Sequence, residues 1–163
     1  MKCWEATVNI FVVDPDTTKC AEALDDLRLN KMIIETAQLL STAMREAGYI
    51  ADDIYKSTHR NHPCAIWVRE SSENYKWTLL YMSDLVEERQ RRTGKNHKSY
   101  QIFNTLCGGT KMMPQGPMTP FANCSPHKHL DVFEAYKLTL IFKWQDDKRP
   151  PKWTNSKPPA WAI

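Results

Sequence analysis

Residues 28–42, RLNKMIIETAQLLST, are apolar around most of a helical circumference. At about 100° per residue, however, Arg28, Lys31, Glu35, Gln38 and Thr42 fall within an arc of roughly 80°, while Met32, Ile33, Ile34, Ala37, Leu39 and Leu40 fill the rest. The pattern predicts a helix with one narrow polar stripe carrying two cations and a carboxylate. Such a stripe is either the wet side of an amphipathic helix or the lining of a cleft, where a carboxylate among cations is tuned to hold or move a proton.

The same reading extends along the chain. Val8–Val13 is a short apolar run closed by Asp14-Pro15-Asp16, an extended segment ending in a turn. Asp16 is placed to cap a helix from Thr17. Its apolar spacing runs to about Ala47, with a break near Leu24–Asp26 and Gly48 as a stop. Residues 49–61 are polar without period and read as a loop. Pro63 suits the first turn of a helix that follows His62 and runs through Trp67. Ser71 or Ser72 caps a longer helix over 73–92, ended by Thr93-Gly94. Its charged end, Glu87–Arg92, reads as a solvated face. A shorter helix is expected over Lys98–Leu106, an irregular loop over 107–129 and a last helix over Leu130–Trp144. The tail KRPPKWTNSKPPAWAI is too proline-rich for a helix and is expected to be extended, draped on the body or loose. The fold class is mainly α: one compact single-domain helical bundle over residues 1–163, with an irregular loop and an extended C-terminal tail.

The 163 residues suffice for a real core, and 42% hydrophobic with 25% charged residues is ordinary for a globular protein. Five glycines argue against a phosphate-cradling Gly loop, and a net charge of +3 permits a polyanionic partner without demanding one. Cys3, Cys20, Cys64, Cys107 and Cys124 are odd in number with no CxxC pair, which predicts free thiols in a reducing compartment. With no leader-like N-terminus and no run near ~18 apolar residues, the expectation is a cytoplasmic protein of a bacterial or phage-infected cell. It is expected to have no membrane contact and no obligate protein partner.

A second cluster lies at residues 58–77. Asn61-His62-Pro63 at a helix start offers N–H groups and a positive dipole end to a phosphate. Arg69 among Trp67, Tyr75 and Trp77 supplies charge and flat faces suited to nucleic acid. The alternative puts the aromatics in the core and makes the Asn-His pair a helix cap. His97 and Lys98, beyond the basic end of the second long helix, and the basic, aromatic tail are either phosphate contacts or solvated charge. His59-x-x-His62, and Cys124 with His127 and His129, offer metal donors, but no carboxylate completes a helical set. No metal and no cofactor is assigned. A Cys–His nucleophilic pair needs no adjacency in sequence, and nothing selects one of the five cysteines.

The run Leu24–Leu40 (LDDLRLNKMIIETAQLL), followed by Asn61-His62-Pro63 and then Trp67-x-Arg69, resembles the superfamily of small helical pyrimidine-dimer DNA glycosylases (endonuclease V type). The likeness is nearest to that superfamily's uncharacterised phage and bacterial relatives. It rests on Asp26, Arg28, Leu29, Lys31, Glu35, Asn61, His62, Pro63, Trp67, Arg69 and Tyr75, and spans roughly residues 8–100. The resemblance implies a helical body that binds double-stranded DNA, kinks it and acts on an extruded pyrimidine. It implies Glu35 as the carboxylate supporting attack of an amine on the sugar C1′, with Arg28 in place of a family His. Because MKCWEAT precedes the first apolar segment, Met1 or Lys2 would have to fold back to supply that amine. Otherwise Lys31 serves, or Glu35 activates water in a monofunctional glycosylase.

The expected activity is therefore excision of a damaged or modified pyrimidine, with or without AP-lyase action. Glu35 is the acid/base, and Arg28 and Lys31 stabilise negative charge or grip phosphate. Asn61, His62 and Arg69 position the strand and Trp67 or Tyr75 backs the pocket, with Asp26, Gln38, His97 and Lys98 as further DNA contacts. The rival readings are a phage-type transferase acting on a preactivated pyrimidine in DNA and a non-catalytic DNA-binding module.

Overall fold

The computed structural model describes residues 8–162. Residues 8–13 run without helix and are mostly buried. The Asn9 side chain accepts the Phe11 N–H at 2.8 Å, which turns the segment and sets Phe11 at φ 45°. Asp16 then caps α1 (Thr17–Ala23), accepting from Thr18 N and Lys19 N. The expected break falls at Leu24, and Asp25 caps α2 (Asp26–Glu46) through Arg28 N. Gly48, at φ 102°, carries the chain away where a side chain would be strained.

Pro63 opens α3 (Pro63–Glu70) behind the His62 cap. Ser71 caps α4 (Ser72–Thr93), which ends on left-handed Gly94. The next helix is shorter and tighter than its pattern predicts: a 3₁₀ turn over Lys98–Ile102 precedes α5 (Phe103–Cys107), and a second 3₁₀ turn covers Gly108–Met112. The tandem glycine has a packing reason, because a Cβ at Gly109 would collide with the Tyr75 phenol. Residues 113–131 are then irregular, and α6 (Val132–Asp146) starts behind the Asp131 cap. Among the described residues there is no strand, and no helix is long and apolar enough to cross a membrane.

Helix α4 packs against α1, α2 and α3, and α2 against α3 and α5. The core between them holds Leu24, Met32, Leu40, Tyr75, Tyr81, Met82 and Leu85. The tail is draped rather than loose. Trp153 and Trp161 pack on Trp144 of α6, and Trp153 Nε1 donates to Ala23 O at 3.1 Å. Asp26 accepts from Thr154 Oγ1 at 2.6 Å, while its own N–H donates to Lys152 O at 2.8 Å.

Two expectations are corrected. The charged end of α4 is a solvated face only in part: Glu87, Gln90 and Arg91 are exposed, but Glu88 is buried and the Arg92 side chain is 0% exposed. A buried guanidinium needs its donors matched. Arg92 meets this with Glu88 at 2.8 Å, Asp26 at 3.0 Å, Leu24 O at 2.8 Å and Glu22 O at 3.1 Å, so it also satisfies carbonyls left open at the end of α1. The thiols are not all free either. Cys64 and Cys124 form a disulfide across 60 residues, because the irregular loop lays Cys124 on the first turn of α3. Cys20 and Cys107 are free, and Cys3 lies outside the described residues.

Candidate active site

The N-terminal half of the α2 stripe faces the end of α6 across a seam, tied by Arg28 and Asp147 and within electrostatic range at Glu35 and Lys143. Glu35 is half-buried, and burial lifts its carboxyl above the usual range even though the cations Lys31 and Lys143 pull the other way. Lys143 reaches the seam from α6. Burial, aided by repulsion from Arg28 and Lys31, lowers its ammonium below the usual lysine range, and Asp147 and Glu35 only partly restore it. From α4 comes Tyr81, whose buried hydroxyl has no hydrogen-bond partner and whose acidity is suppressed by burial first and by the Glu35 carboxylate besides. Glu35 is thus an acid with raised pKa that is coupled to Lys143, an amine with lowered pKa, and that also acts on the Tyr81 phenol. Environments that push an acid up and a base down are what proton-transfer chemistry near neutral pH requires.

Lys143 also lines a cavity of about 280 Å³ with Asn9, Cys124, His127, Thr139, Phe142 and Asp146. That volume is close to the ~300 Å³ at which ordinary small-molecule sites begin. His127 Nε2, one of the lining side chains' polar atoms, is buried without a partner. A larger groove of about 540 Å³ runs beneath the tail, lined by Lys19, Arg91, Lys137 and Lys157, but holds no member of the Glu35 group.

The other stripe residues do different work. The Arg28 guanidinium is gripped by Asp147 with two bonds, at 2.8 and 2.9 Å, and by Asp25 at 3.2 Å, with its side chain 11% exposed. It is a strut between the start of α2 and the end of α6. Lys31 is exposed, Gln38 is half-buried and Thr42 holds the 49–61 loop through Thr58. Asp26 is the tail clasp. Leu27 and Ile34 flank the stripe and are 67% and 40% exposed, so Ile34 leaves the core that its apolar character predicts. Phe142, beside Lys143, is 48% exposed.

The second cluster divides. Trp67 and Tyr75 are core residues: Trp67 stacks among Trp77 and Phe121, and Tyr75 donates to Leu106 O at 2.6 Å. Neither lines the cavity. Asn61 is exposed, and His62 caps α3 by accepting Cys64 N–H at 3.2 Å. Burial, with His59 and Lys128 nearby, lowers the His62 pKa. Arg69 at the end of α3 keeps Nη1 buried and unpartnered. The Asn-His cluster and the Glu35 seam are linked through the cavity, since Cys124, bonded to Cys64 beside His62, shares its wall with Lys143. His97 stands apart as the cap of a 3₁₀ turn, with its pKa lowered by burial and Arg89, and Lys98 is exposed. Met1 and Lys2 lie outside the described residues. Lys143, Tyr81 and Asn9 were missed in the sequence. Lys143 sits in an apolar helix pattern whose only clue is a lone cation at Phe142-Lys143-Trp144.

A helical body in which a half-buried acid lies within electrostatic reach of an amine that lines a cavity offers a candidate acid–base centre. The family to which it belongs is also clear: the pyrimidine dimer DNA glycosylase family model matches residues 8–102, more than half of the chain, and the chain belongs to that family. The match takes in α1 to α4 with Glu35 and ends before Cys124 and Lys143. No curated protein and no solved structure matches.

Proposed function

We propose that the protein is a DNA glycosylase acting on a damaged or modified pyrimidine turned out of duplex DNA into the cavity beside the α2–α6 seam. The observation that carries this reading is the pair of oppositely shifted groups Glu35 and Lys143, the second of which lines the cavity, in a chain of the glycosylase family. Glu35, its carboxyl pKa raised by burial, is the acid/base. Lys143, its ammonium destabilised, is a better-supported amine than exposed Lys31. In the step proposed, the Lys143 nitrogen bonds to C1′ as the bond from C1′ to the base breaks. The base leaves with the Glu35 proton, and an amine proton ends on O4′ as the sugar opens to a protonated imine. Exposed Leu27, Ile34 and Phe142, with Lys31, Lys148 and Arg149, supply wedges and cations for a kinked duplex on this face.

The test is mass spectrometry of bases released from duplexes carrying different pyrimidine modifications, with borohydride added in parallel. Release with a trapped adduct supports the amine route, and release without one leaves Glu35 activating water. A base altered but retained in the strand favours the transferase reading. DNA binding with no chemistry, unchanged in Glu35→Gln, removes the enzymatic reading altogether.

A further inference from the structure

We propose that His62, Cys64 and Cys124, with the two thiols reduced, form a binding site for a zinc-class cation that clasps the 113–131 loop to the head of α3. One ring nitrogen of His62 and the two Sγ atoms all lie within 4.8 Å of one another. Two thiolates and an imidazole are a donor set that zinc prefers and that calcium and magnesium do not. Cys64 lies in the first turn of α3, where the helix dipole favours a thiolate.

The third donor is delivered by structure rather than by chance. Tyr136 of α6 donates to Ala122 O at 2.8 Å and accepts Cys124 N–H at 3.0 Å, holding the loop on both sides of the sulfur. Asn123 ties the following turn, accepting from Ser125 N at 3.0 Å and donating to His127 O at 3.1 Å.

Opening the Cys64–Cys124 bond takes two electrons and two protons from a thiol reductant, and closing the site on Zn²⁺ expels two protons. The His62 ring has one lone pair, which caps α3 in the disulfide form; the cation takes that lone pair and replaces the cap with a metal bridge. Three protein donors leave a fourth position for water. The test reads zinc rather than base release, so its outcome does not depend on the Glu35 chemistry.

The experiment uses the full chain, reduced with a phosphine and dialysed against Zn²⁺, or against Co²⁺ as a spectroscopic probe. The expected result is near-stoichiometric zinc, together with thiolate-to-cobalt charge-transfer absorption. Cys64→Ser and Cys124→Ser are expected to weaken zinc at least ~10-fold, as is His62→Asn, which keeps a capping side chain. Cys107→Ser, at an exposed free thiol, is expected to bind as the wild type does. Where a variant fails to fold, the wild-type cobalt spectrum decides alone. A reduced wild type with no zinc and no charge-transfer band overturns the proposal, as does equal loss in Cys107→Ser.

Discussion

Glu35 on α2 and Lys143 on α6 lie across one seam, and each offsets part of what burial does to the other. Burial favours the neutral carboxyl and the neutral amine, while their mutual attraction favours the charged pair. Lys31 adds to the pull on Glu35, and Arg28 and Lys31 push against Lys143. The outcome is a pair whose protonation states lie closer together than those of exposed side chains.

Glu35→Gln is expected to lower base release about 10²–10⁴-fold, the usual worth of a positioned acid or base, in single-turnover assays. The thermal transition of the variant should be at least as high as that of the wild type at neutral pH. Turnover within a few-fold of wild type would remove Glu35 from the chemistry.

The pair also makes a prediction about stability. The folded-state pKa of Glu35 is raised, so its favourable contribution is full below the unfolded value near 4.5 and is lost as pH rises through the folded value. Lys143 is lowered, so its contribution is full above about 10.5 and is lost as pH falls through the folded value. Relative to wild type, Glu35→Gln should therefore gain stability on going from pH 4 to pH 7. Lys143→Met should gain on going from pH 11 to pH 8. Melting curves at the four pH values check both signs.

Lys143→Gln is expected to abolish the borohydride-trapped adduct, whereas Lys31→Gln should keep it. A wild-type rate that rises with pH along the acid limb, and a flattened limb in any residual Lys143→Gln activity, would mark the amine as the titrating group. An adduct that survives Lys143→Gln moves the nucleophile elsewhere.

Arg92→Ala removes a guanidinium that Glu88, Asp26 and the carbonyls of Glu22 and Leu24 all use. Breaking a buried pair from one side costs about 3–5 kcal/mol, which for a chain of this size lowers the melting temperature by roughly 10 °C. Because Arg92 also shares Asp26 with Thr154, proteolysis should cut the tail faster in this variant. Calorimetry and limited digestion measure the two effects.

Lys31→Ala, Lys148→Ala and Arg149→Ala should each weaken duplex binding across sequences alike and reduce the salt slope by about one if each touches a phosphate. Titrations at several salt concentrations give the slopes.

The helices were legible because their ends obey local chemistry. Asp16, Ser71 and Gly94 act where their side chains or φ freedom place them, and Pro63 opens α3 as its ring requires. The site was half legible. Periodicity picks out Glu35 within α2, but cannot bring Lys143 and Tyr81 to it from over one hundred and over forty residues away. That juxtaposition is made by the Phe11–Tyr136 and Trp144–Asp25 contacts that seat α6. Arg92 was misread because a run of charges looks alike whether water or Glu88 and the α1 carbonyls receive it. Trp67 and Tyr75 show the converse, since aromatics suited to stacking on bases are as well suited to a core.

The strut at Arg28 and Asp147 has a consequence for the proposed handling of DNA. It ties the two helices two turns below Glu35 and one turn past Lys143, and the Trp144 indole bond to Asp25, at 2.7 Å, locks the same junction. The spacing of acid and amine is therefore set like the jaw width of a fixed wrench, at the handle rather than at the mouth. Under the proposed function, adaptation on binding comes from the nucleic acid, and loosening the handle retunes the jaws without touching them.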